Sequence, residues 1–124
     1  MTKKLFTPHE ANKRLPLIQR IVEDILKKGT KFKALGILEQ TPLVKEERQS
    51  LVNSIDTLIA ELEALGCFFK DWNFEIGLVD FPATIDDQEV MLCWKSDEPK
   101  VEWYHGLEDG FQGRKRIPQE LLVA

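Results

Sequence analysis

The side chains able to do chemistry gather in the second half of this 124-residue chain. They are Asp80, Cys93, Glu98, Glu102, His105 and the segment Gly106-Leu-Glu-Asp-Gly-Phe-Gln-Gly-Arg114. An imidazole titrates near neutrality, so His105 can serve as a general acid or base once Asp80, Glu98 or Glu102 fixes its tautomer. The competing reading is a hydrogen-bonded histidine at a strand end, because buried polar groups are ordinarily partnered for structural reasons. Gly106, Gly110 and Gly113 permit tight turns whose successive N–H groups can cup a phosphate or carboxylate. Arg114 can grip such an anion bidentately, and Lys115 and Arg116 add charge. Asp80, His105, Gly110, Gly113 and Arg114 are therefore the candidate anion- or ligand-binding residues. The loop lacks the lysine and helix context of a P-loop. In the plainer alternative Phe111 plugs the core, the glycines turn the chain around it, and Asp80 forms a buried ion pair with Arg114.

Cys93 and His105 also belong to the zinc-ligand types, with His9 and Cys67 the only soft donors left to complete a site. No Cys-x-x-Cys pair is present, and the strand register derived below sets Cys93 and His105 on opposite faces. No metal site, cofactor or catalytic set is expected on that basis. A Cys93 nucleophile with His105 as its base fails for the same reason, which leaves Cys93 as a small buried hydrophobe.

These residues need a scaffold, and the first 66 positions read as one. Thr7-Pro8-His9-Glu10 is a cap, an N1 proline and the third member of a capping box. Pro16 removes a backbone donor, which predicts a short helix over 8–14, a kink, and a restart into a long helix. Ile18, Ile21, Val22, Ile25 and Leu26 follow helical spacing. Gly29 weakens that helix, and Gly36 is a plausible stop. Thr41-Pro42 opens a second long helix with Leu51, Val52, Ile55, Leu58, Ile59, Leu62 and Leu65 on one stripe, ended by Gly66. The short connection between the two helices favours antiparallel neighbours.

Beyond Gly66 the pattern turns aromatic and β-like. Residues 67–70, 78–81, 89–95 and 100–105 are strand candidates. Taking Asp97-Glu98 as a two-residue loop, or a four-residue loop around it, sets Trp94 opposite Val101, Leu92 opposite Trp103 and Val90 opposite His105. The expected architecture is α+β. An antiparallel helical hairpin (1–66) packs with a small antiparallel sheet (67–124) in a single domain spanning 1–124.

The series Leu78-Val-Asp-Phe-Pro-Ala83, Leu92-Cys-Trp94, Trp103-Tyr-His105 and Gly110-Phe-Gln-Gly-Arg114, with the opening Phe6-Thr-Pro-His-Glu-Ala-Asn-Lys-Arg-Leu-Pro16, resembles a bacterial family catalogued as domain of unknown function 2203. The resemblance covers nearly the whole chain and is most specific over 77–114. It implies a helical hairpin followed by a compact β segment and no established activity. Trp72-Asn-Phe-Glu-Ile departs from it by being bulkier before Gly77.

Charge is split along the chain: residues 1–35 carry +6, residues 36–110 carry −12, and the tail from Phe111 carries +2, for a net −4. A basic helix packed beside an acidic one accounts for this, and nucleic-acid binding is not expected of a chain that is acidic overall. Two cysteines, no apolar leader and no long apolar run point to a cytoplasmic protein without a membrane segment. Helical stripes wider than one partner can cover suggest a non-enzymatic interaction or scaffold protein that self-associates as a homodimer through its helices, or that engages another protein. The alternative is a small anion- or phosphate-binding or hydrolytic module built on loop 106–114 with His105 and Arg114.

Overall fold

The computed structural model describes residues 4–123. Two threonine–proline pairs start its long helices. Thr7 accepts a hydrogen bond from the Glu10 N–H at 3.1 Å, and its own N–H donates to the Glu10 carboxylate at 3.3 Å, closing a capping box ahead of α1 (Pro8–Gly36). Thr41 caps α2 (Pro42–Ala64) through the Val44 N–H at 3.2 Å. Gly66, at φ +95°, closes α2: the Cys67 N–H donates to the Leu62 carbonyl and the Gly66 N–H to that of Glu63. α2 folds back along α1, with Lys31 on Glu47 at 3.2 Å and the Arg48 guanidinium over the Phe32 ring at 4.1 Å. No helix among the described residues is long and apolar enough to cross a membrane.

The break expected at Pro16 is absent, and α1 runs unbroken from Pro8 to Gly36. Pro16 lies on the exposed face of the helix, flanked by the buried Leu15 and Ile18. A mid-helix proline costs about 3 kcal/mol. The buried stripe Ala11, Leu15, Ile18, Val22 and Ile25, continuous on both sides of it, offsets that cost.

The sheet is a five-stranded antiparallel meander in the order β1 (Phe68–Phe69), β2 (Leu78–Ile85), β3 (Gln88–Lys95), β4 (Trp103–Gly106) and β5 (Lys115–Arg116). β2 is longer than expected, running through Pro82 to a two-residue turn. Asp86 and Asp87 in that turn take φ +52° and +63°, the left-handed pair a type I′ hairpin requires. Pro82 is tolerated because β1 pairs only with Val79 and Asp80, leaving this stretch at an edge. There the Pro82 carbonyl accepts the Phe6 N–H at 2.7 Å. A short helix, α3 (Gln119–Leu122), follows the sheet and packs on α1.

The β3–β4 register differs from the expected one by a single residue. Leu92 faces Tyr104, Cys93 faces Trp103, Met91 faces His105 and Val90 faces Gly106. Val101, expected opposite Trp94, is not in the strand. Its N–H donates to Asn12 Oδ1 at 2.7 Å and its carbonyl accepts from Asn12 Nδ2 at 3.0 Å, so α1 holds it. The connection consequently runs from Ser96 to Glu102, an odd number of residues, whereas two- and four-residue loops share the opposite parity. A one-residue slip exchanges the faces of every side chain on the strand. Trp103 and His105 therefore lie on the face away from Leu92.

The helix-facing side of the sheet carries Phe69, Val79, Phe81, Val90, Leu92 and Trp94, which share one core with α1 and with Ile55 and Leu62 of α2. Trp94 is fully buried and its indole N–H donates to the Glu98 carbonyl at 2.9 Å. The remaining apolar residues of the α2 stripe are only half-buried.

Gly29 has a structural explanation. A Cβ built there would lie 2.2 Å from the Phe74 ring, which packs directly against the helix backbone. Gly29→Ala in an open helix would gain about 1 kcal/mol. Here it is expected to destabilise by about 1–3 kcal/mol, the usual cost of overpacking. Urea unfolding would register the difference, and a variant more stable than the parent would contradict the packing described.

Candidate functional site

The second face of the sheet, away from the helices, holds the chemistry. Asp80 on β2 lies directly across from Cys93 on β3, and Cys93 is diagonal to His105 on β4. All three side chains are buried, and their ligand-type atoms lie within 4.8 Å of one another. They reach the same point because each occupies the same alternate position on three consecutive strands. The exclusion of a Cys–His grouping on opposite faces is thus overturned by the odd-length connection.

His105 is held from both sides. Its Nδ1 lies 2.8 Å from the Gly106 carbonyl and its Nε2 lies 3.2 Å from Asp80 Oδ1. A carbonyl can only accept, so Nδ1 carries the hydrogen and Nε2 turns toward the carboxylate. Of the three carboxylates considered as orienting partners, Asp80 has the role. Burial pushes the Asp80 carboxyl above its ordinary range, against the pull of His105. Burial, reinforced by the charge of Asp80, also pushes the Cys93 thiol up to about 12.

Above this floor lies a cavity of about 330 Å³ lined by Lys70, Leu78, Asp80, Cys93, His105, Leu107, Gly110 and Phe111. The glycine-bearing loop therefore contributes its wall, as far as Phe111. Phe111 is 39% exposed at the rim and does not plug the core. A larger concavity of about 600 Å³ on α1 is lined by Glu10, Lys13, Arg14, Pro16, Leu17 and Arg20. It brings together neither a cysteine nor a histidine.

Arg114 and Gly113 do not join the cavity lining. Arg114 donates to Glu98 Oε1 at 2.8 Å and to the Cys93 carbonyl at 3.2 Å, and its guanidinium lies over the Trp103 and Phe111 rings at 4.7 and 4.9 Å. The expected Asp80–Arg114 ion pair does not form: Asp80 lies against His105, and Arg114 pairs with Glu98. Glu98 Oε1 also accepts the Lys95 N–H at 2.8 Å, so Arg114 fixes the β3–β4 connection.

The loop supplies its own anion. Asp109 Oδ2 accepts the Gly106 N–H at 3.2 Å, and Asp109 atoms lie 2.6 Å from where a Cβ on Gly106 or on Gly113 would sit. The N–H groups of Asp109, Gly113 and Arg114 are taken up by carbonyls of the same loop. Those glycines make room for the aspartate carboxylate.

Lys70 and Leu107 are the cavity residues that sequence reasoning did not single out, and Cys93 is one it considered and set aside. Alternation along β2, β3 and β4 would have placed Cys93 beside Asp80 and His105 given the correct parity of one loop. Lys70 follows β1, and its N–H donates to the Leu78 carbonyl at 2.8 Å. Asp71 then organises the turn leading to β2 by accepting the N–H groups of Asn73, Glu75 and Ile76.

The fold and site define an α+β protein with a buried aspartate–cysteine–histidine cluster at the floor of a small cavity. The chain belongs to the family described as uncharacterized conserved protein (DUF2203), whose profile matches residues 4–117. Comparisons with curated proteins and with solved structures find no match.

Both cysteines are buried and unbridged, and burial raises Cys67 to about 12 as well. At neutral pH each then exposes roughly 10³-fold less thiolate than a free cysteine. Iodoacetamide is expected to leave both thiols unmodified in the native protein and to label two per chain in urea. A thiol that reacts natively at the free-cysteine rate would contradict the environment described.

Proposed function

We propose that the protein is a small-ligand-binding module whose working site is the cavity over β2, β3 and β4, and whose ligand is a compact anion with an apolar body. One observation carries this reading: three buried, chemically capable side chains converge on the floor of a cavity open enough to admit a small molecule. Lys70 supplies the positive charge, and His105 with Asp80 supplies hydrogen-bonding groups of fixed orientation. Leu78, Leu107 and Phe111 provide apolar contact for the remainder. The binding determinants are therefore Asp80, Cys93, His105 and Lys70, with Gly110 in the wall. Arg114 supports them by holding the adjacent loop.

Thermal unfolding of chelator-treated protein with butyrate, benzoate and phenyl phosphate tests this reading. A probe at 100 times its Kd adds about 2.7 kcal/mol to stability, so at least one aromatic probe should raise the midpoint. Lys70→Met should weaken that probe at least tenfold, whereas Arg116→Met, on the outer edge of β5, should leave it unchanged. Absence of a shift from every probe, or equal loss in both variants, would overturn the proposal.

A second reading, self-association through the helices, is favoured by the tip of the helical pair, where Ile37 is 87% and Leu43 is 75% exposed beside Leu38. Exposed apolar side chains grouped at one end are a recognised feature of interaction surfaces. Light scattering should then report a dimer that Leu43→Lys converts to monomer. A parent protein that is monomeric at all concentrations would remove this reading.

A further inference from the structure

We propose that Asp80 Oδ1, Cys93 Sγ and His105 Nε2 form a binding site for one divalent transition-metal ion of the zinc type, with a fourth position open to the cavity. The inference deepens the reading of the cavity as the working site and rests on it. It draws on donor chemistry, geometry and charge.

An imidazole nitrogen, a thiolate and a carboxylate oxygen are the three ligand types zinc accepts, and three protein ligands with one vacant position are the pattern of sites that bind an exchangeable ligand. The three atoms lie within 4.8 Å of one another. Tetrahedral ligands at about 2.0–2.3 Å from zinc stand roughly 3.3–3.8 Å apart. Closing the cluster around an ion therefore needs a contraction of about 1 Å at its widest, within reach of small side-chain rotations.

The surroundings of the histidine match what a metal ligand needs. A ligating imidazole commonly donates its other N–H to a backbone carbonyl, which fixes the tautomer and aims the lone pair. His105 does this through Nδ1 and the Gly106 carbonyl at 2.8 Å, leaving Nε2 directed at the cluster.

Charge closes as well. A divalent ion with one thiolate, one carboxylate and a neutral imidazole is electrically neutral, an arrangement that burial does not penalise as it does a lone charge. Metal binding expels the thiol proton, since only the thiolate coordinates. Lys70, the cation lining the same cavity, then balances an anionic group that completes the coordination. The anion of the cavity reading is thus a carboxylate or phosphate able to bind metal through one oxygen.

The test uses the full-length protein, stripped with chelator, dialysed, and titrated with Co²⁺ and then Zn²⁺. One equivalent of Co²⁺ is expected to produce thiolate-to-cobalt charge-transfer absorption, which Zn²⁺ then abolishes by displacement. Cys93→Ser should remove the absorption and weaken binding by more than the roughly 10–100-fold typical of losing an outer partner. Cys67→Ser should leave both intact, because Cys67 lies in the core shared by sheet and helices, away from the cluster, and its thiol donates to the Leu62 carbonyl. His105→Asn should weaken binding while preserving the charge-transfer band at high Co²⁺. Circular dichroism of each variant separates loss of the site from loss of the fold.

A stripped protein that gives no band, or a band that survives Cys93→Ser, would overturn the metal site. If benzoate or phenyl phosphate still stabilises that stripped protein, the cavity reading stands without the metal. Stoichiometric metal binding with no effect of any anion, with or without the ion, would support the metal site and refute the anion reading.

Discussion

The two hydrogen bonds between Asn12 and the backbone of Val101 govern the rest of the molecule's second half. Together they satisfy both polar groups of a fully buried residue, which would otherwise sit unpaired against the core at a cost of about 1–3 kcal/mol for each group. By fastening Val101 to α1 they withdraw it from the sheet and lengthen the β3–β4 connection. Glu98 completes the restraint: its carbonyl takes the Trp94 indole N–H, and its carboxylate takes the Lys95 N–H and the Arg114 guanidinium. The parity of that connection decides which face receives Trp103 and His105, and so whether Asp80, Cys93 and His105 meet.

Local signals carried most of the architecture. The Thr-Pro caps, the Gly36 stop, the Gly66 close and the aliphatic stripes are written in adjacent residues, so both long helices could be read directly. The unbroken course through Pro16 could not, because the core that buries Leu15 and Ile18 is assembled from α2 and sheet residues distant in sequence. Likewise, the existence of β3 and β4 followed from alternation, but their register depended on a side chain 89 residues distant in sequence. Asn12 on an amphipathic helix gives no sign that it will seize a loop.

For the candidate site, Asp80 and His105 were legible as a carboxylate and an imidazole that could pair, and they do. Gly110 also lies where the cavity needs it. Arg114 and Gly113, read from the sequence as anion-binding residues, lie beside nearer partners in the structure, Glu98 for the guanidinium NH2 and Asp109 for the glycine. Cys93 was discounted on the one inference that failed, the facing of the hairpin. Membership of DUF2203 agrees with the family pattern seen in the strands and leaves the chemistry to be established from geometry.

The most direct measurement is a nuclear Overhauser spectrum of the β3–β4 pair in solution. The account predicts contacts from the Leu92 methyls to the Tyr104 ring and from Cys93 to Trp103, with Val101 close to the Asn12 side-chain amide. Contacts from Leu92 to the Trp103 indole and from Val90 to the His105 ring would place His105 on the helix side and contradict it.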